Sequence, residues 1–80
     1  MSTETQARPL SNIAHDIKRD WKQVNYAALP YLNAMLNMDS IDGTYFYDSG
    51  TSIVRYFLAN AGSWRGHVAQ SIKLELRSMI

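Results

Sequence analysis

The stretch SIVRYFLANAGSWRG, residues 52–66, decides the fold. Ile53, Val54, Phe57, Leu58 and Ala61 recur at helical spacing and fall on one face. Arg55, Tyr56, Ala59 and Asn60 fall on the other. A helix is therefore predicted over residues 51–61. Asp48 or Ser49 caps its start, because a side-chain oxygen there accepts from a free first-turn amide. Gly62 stops it as a C-terminal glycine. Ser63 then reads as the N-cap of a further helix over residues 64–79. Val68, Ile72, Leu76 and Met79 form its buried stripe. Gln70, Lys73 and Arg77 lie on the opposite side, Arg65 projects near the stripe, and Leu74 projects into solvent.

Working towards the N-terminus, residues 39–50 read DSIDGTYFYDSG. Asp, Ser and Gly punctuate this segment as they do turns, and Asp42-Gly43 suits a tight one. It is predicted to be a loop. Before it, Tyr31, Leu32, Met35, Leu36 and Met38 cover a wide apolar arc, with Asn33 and Asn37 as the polar strip, so residues 27–38 form the most buried helix. Pro30 belongs in its first turn, where a missing amide costs little. The same proline requires a bend near Asn25. In residues 12–24, Ile13, Ile17, Trp21 and Val24 share one face of a helix capped by Ser11, with Asp20 at the edge of the stripe. Residues 1–9 are polar and read as a disordered tail, leaving residues 10–80 as a single helical domain. The expected fold is all-α: a compact bundle of four short helices with a Tyr-rich acidic loop between helices 2 and 3.

Composition limits the function. Eighty residues make one domain with a small core, burying about 60–65% of the unfolded surface. An apolar fraction of 46% is too high for a disordered chain. There is no cysteine, so disulfides and cysteine-ligated zinc are excluded. A domain this small without such staples favours a reducing cytoplasm. No apolar run approaches the roughly 18 residues of a membrane span, and no signal-peptide core is present, so no membrane role is expected. The net charge of +1 is far below that of a general nucleic-acid binder. The charge is uneven: Asp39, Asp42 and Asp48 stand without a base in the loop. Arg55, Arg65, Lys73 and Arg77 face Glu75 alone in the C-terminal part.

Catalytic signatures are missing. No G-x-S-x-G elbow, S-x-x-K motif or glycine-rich phosphate loop occurs. His15 and His67 fall on polar faces of separate helices, with no carboxylate at a ligand spacing. The acids of the loop do not follow the EF-hand pattern, because none stands at its closing position. No enzyme, metal or cofactor is expected. The best candidate site is Tyr45, Phe46 and Tyr47 with Asp42 and Asp48. Aromatic side chains anchor interfaces because they bury large area at low entropic cost, and acids steer the encounter with a basic partner. The competing reading is that these rings cover the helical core. Two other sets compete with the loop. A helix-turn-helix with Gly62 at its turn and Val68 inward would place Trp64, Arg65, Gln70 and Lys73 on a recognition helix. Arg65 at a helix N-terminus, with Gln70, Lys73 and Arg77, would suit a small anionic nucleotide, unless Arg65 pairs with Asp20 or the acidic loop. Leu74 beside Lys73 and Arg77 offers a surface for a homodimer.

The stretches IAHDIKRDW (13–21), ALPYLNAM (28–35), DSIDGTYFYDSG (39–50), SIVRYFLANAGSWRG (52–66) and IKLELRSM (72–79) together resemble a group of small proteins. These are encoded by bacteriophages and prophages of Gram-positive bacteria, including actinobacteria. The YFLANA-x-x-WRG run is the most specific part. The resemblance implies a phage origin and a bacterial host cytoplasm, and it carries over no functional residue. It implies no activity; by class, small phage proteins without enzymatic motifs commonly act by binding, so a non-enzymatic accessory role, binding and modulating a host protein, is expected. The alternatives are a DNA-binding regulator and a sponge for a nucleotide signal.

Overall fold

The computed structural model describes residues 8–46 and 48–80. Helix α1 spans Leu10–Asp20, α2 Leu29–Leu36, α3 Gly50–Ala59 and α4 His67–Arg77. Two short strands, β1 (Thr44–Tyr45) and β2 (Asp48–Ser49), lie between α2 and α3. The protein is mostly helical, as expected. It is not purely α, because the segment read as a loop folds into an antiparallel hairpin.

Each helix starts or stops where a specific backbone group finds its partner. α1 begins at Leu10, which is fully buried, with Pro9 as its N-cap. Ser11 is not the cap: its amide donates to the Met38 carbonyl at the end of α2, 2.9 Å away. That bond satisfies a first-turn donor without a side chain. α1 ends at Asp20 rather than Val24, because Trp21 leaves helical geometry at ψ 89° and turns into the core. The expected bend near Asn25 is present. The Asn25 side chain accepts from the Ala27 amide (3.2 Å) and donates to the Asn60 carbonyl (3.0 Å), tying the bend to the end of α3. Pro30 stands in the first turn of α2. Ser49 caps α3, accepting from the Ser52 amide at 3.1 Å.

The joint between α3 and α4 differs most from expectation. Gly62 does not adopt a left-handed conformation; α3 stops at Asn60, whose side chain donates back to the Tyr56 carbonyl at 2.8 Å. α4 begins at His67, after Gly66 at φ 112°, so Ser63 is not its cap. The buried stripe of α4 is Ala69, Ile72 and Leu76, and Val68 is 43% exposed. The reason is Trp64. Residues 60–66 carry it into the core at 2% exposure, stacked on Trp21 with ring centres 5.7 Å apart and 9° between planes. Phe57 meets both indoles edge-on. Around these rings pack Leu10, Ile13, Ile17, Leu32, Met35, Ile53, Val54 and Leu76.

Gly50 shows why the hairpin and α3 need a glycine between them. It is buried, and a Cβ there would overlap the Ile41 carbonyl, with the carbonyl carbon only 2.9 Å away. Both groups are backbone, so neither can swing aside. Gly50→Ala is expected to destabilise the protein by about 1–3 kcal/mol, measured by equilibrium denaturation. An unchanged midpoint would mean that the hairpin is not seated against the start of α3.

Candidate functional site

The hairpin is built from turn chemistry upward. The Ser40 hydroxyl accepts from the Asp42 amide and its carbonyl from the Gly43 amide, both at 3.1 Å. This is the tight turn expected at Asp42-Gly43. The Gly50 amide then donates to the Gly43 carbonyl at 2.9 Å. Thr44 pairs with Ser49 and Tyr45 with Asp48, leaving two residues to connect the strands. Two-residue connections that follow the natural strand twist need φ > 0 at their first position, where glycine or asparagine is usual. Here the position is Phe46, at φ 57°. A left-handed phenylalanine costs about 1 kcal/mol relative to its ordinary conformations.

That conformation aims the ring outward. Phe46 is 82% exposed, whereas Tyr45 is half-buried and packs against the core. The two rings meet edge-on, 4.7 Å between centres. Asp48 is exposed opposite Tyr45, and Asp42 is exposed in the preceding turn. Tyr47 lies outside the described residues. The predicted five-residue set thus divides: Tyr45 covers the core, and Phe46 with Asp42 and Asp48 faces solvent.

The alternative set on α4 divides as well. Arg65 and Gln70 are exposed, and so is Arg77 in the last turn of α4. Lys73 turns inward. Its ammonium donates to the carbonyls of Ala61 (2.8 Å) and Trp64 (2.7 Å) and lies 5.8 Å from the Trp64 ring centre. Partial burial, then Arg77 and Arg65, hold its pKa below the ordinary lysine value. Lys73 therefore caps the backbone of the joint instead of facing a ligand. Trp64 and Val68 have exchanged their expected places, core for surface. Arg65 forms no ion pair with Asp20 or the hairpin acids among the described residues. Asp20 Oδ2 instead accepts from the Trp64 indole N–H at 2.8 Å. His15, His67 and Leu74 are exposed as expected. Among the described residues, no three His, Asp or Glu side chains are grouped to hold a metal ion. Nor is any described helix long and apolar enough to cross a membrane.

The main polar network is one that spacing did not reveal. Arg8, placed in the tail by its neighbours, belongs to the fold. Its guanidinium donates to both Glu75 carboxylate oxygens at 2.8 Å and to Asp16 at 2.6 Å, joining α1 to α4. Arg19 approaches Asp16 from one turn on, at 3.2 Å. The hydrogen bond from Arg8 holds the Asp16 carboxyl below its ordinary pKa, and the Arg8 guanidinium is raised. A depressed carboxylate contributes stability above its unfolded pKa and loses it as the pH falls through the folded value. Arg8→Gln should therefore lower the melting temperature at pH 6, and the gap from wild type should close as the pH drops below the ordinary aspartate value of 3.8. A gap that stays constant to pH 2.5, or about that, would show that the fork is not what ties α4 to α1. Arg8 and Glu75 are 67 positions apart, so no local pattern marks them. Comparison of the chain with protein-family models, with curated proteins and with solved structures finds no match.

Proposed function

We propose that this chain is a small, non-enzymatic protein-binding module, and that the tip of its hairpin is the contact. The observation that carries this reading is Phe46: a large apolar ring, 82% exposed, on backbone in a costly left-handed conformation. Apart from its edge-on contact with Tyr45, an outward phenylalanine adds little to a small core at a position that glycine would occupy without strain. Conformations of this kind persist where a function uses them. Tyr45 supports the ring from below, and Asp42 and Asp48 supply a negative rim. The complementary partner surface is an apolar pocket edged by basic residues. With the resemblance to phage proteins, this points to a protein of the bacterial host whose activity the bound module modulates.

Affinity capture from host lysate, with and without nuclease, tests the class of partner. One protein retained in stoichiometric amount after nuclease treatment is the expected result. Retention of nucleic acid alone, lost on nuclease treatment, would replace this reading with a DNA-binding one.

A further inference from the structure

We propose that the cleft between α1 and α4 binds an aliphatic cation, an alkylammonium or alkylguanidinium group. The cleft measures about 520 Å³, within the usual range for small-molecule sites. Val68 and Ile72 give it apolar lining from α4, and Asp20 reaches it from α1. Its charged groups are unevenly spent. Arg8 is engaged by Glu75 and Asp16, and Arg19 by Asp16. Asp20 has no ion pair among the described residues. It is nevertheless held in place, because Oδ2 accepts from the buried Trp64 indole, and Oδ1 accepts no hydrogen bond from them. Among its carboxylates and guanidiniums, three (Asp16, Asp20, Glu75) stand against two (Arg8, Arg19), an excess of one negative charge.

This combination selects its ligand. An anion meets excess negative charge. A purely apolar molecule would dehydrate the Asp20 carboxylate without replacing its hydrogen bonds. An aliphatic cation satisfies both surfaces: its methylenes lie along Val68 and Ile72, and its N–H groups donate to the oriented carboxylate. Such a group reaches the cleft as a free amine or as a basic side chain of a partner. The site is separate from the hairpin and does not depend on the role given to Phe46.

The test is a titration of the full chain, followed by amide and indole N–H chemical shifts. Cadaverine represents the free amine, a lysine capped at both ends the side chain, and n-pentanol the neutral control. Saturable shifts at Val68, Ser71, Ile72 and the Trp64 indole N–H are expected with both cations. Tighter binding of capped lysine assigns the site to a partner's side chain, and tighter binding of cadaverine to a free amine. Asp20→Asn keeps an oxygen for the indole and removes the charge, so it should weaken binding about fivefold while the indole resonance stays dispersed. Should that variant unfold, Val68→Ser at an exposed position carries the test, and it too should weaken binding. No saturable shift up to about 50 mM, equal shifts with n-pentanol, or unchanged affinity in the variants would overturn the proposal.

Discussion

Trp64→Ala is expected to destabilise the protein by about 3–5 kcal/mol. The residue is 2% exposed, stacks on Trp21, meets Phe57 edge-on and donates its indole N–H to Asp20. Its carbonyl also receives the Lys73 ammonium, so residues 60–66 are fixed on both their side-chain and backbone sides. Truncating a buried tryptophan to alanine costs about 3–5 kcal/mol, from lost burial and the cavity left behind. A domain of this length has about 4–12 kcal/mol in all. The loss therefore takes between about a quarter and all of the margin. Trp64→Phe keeps an aromatic ring in the stack and loses the hydrogen bond, so it should cost less and remain folded. Helical circular dichroism against guanidinium concentration measures both. A Trp64→Ala midpoint close to wild type would mean that the joint does not enter the core.

The largest expected effect on function belongs to Phe46→Gly. Glycine adopts φ 57° without the steric cost that phenylalanine carries there. The substitution gives up the edge-on contact with Tyr45, worth about 1 kcal/mol, and adds entropy to the unfolded chain. These terms oppose the relief of strain, so stability should stay within about 1 kcal/mol of wild type. If the hairpin tip is the contact, partner affinity should fall by more than about tenfold, because its aromatic anchor is removed. Few other aromatic positions in this chain separate folding from binding in this way. Tyr45 is half-buried, so its loss would confuse the two.

The elements that could be read from the sequence are those whose periodicity and caps are local. The apolar faces of α2 and α3, the Ser49 cap, Pro30 in its first turn and the bend at Asn25 follow from neighbours a few residues apart. What could not be read depends on distant partners. The Ser11 amide found the Met38 carbonyl, which moved the start of α1. Trp64 found Trp21 and Asp20, which delayed α4, rotated Val68 outward and turned Lys73 inward. An indole is apolar enough to enter a core and polar enough to need a partner there; helical spacing alone does not say which loop will supply it. The hairpin was hidden because its strands have two residues each, too few to display alternation. The aromatic and acidic residues of the site were visible as a cluster. Which ring faces out was not, since that follows from the strand register and the turn it imposes.

The most direct measurement compares wild type and Phe46→Gly, first shown to unfold at matching denaturant concentrations, for capture of the host partner. The expected result is that wild type retains the partner and that Phe46→Gly, equally well folded, does not. Equal retention by the two, at equal stability, would contradict it.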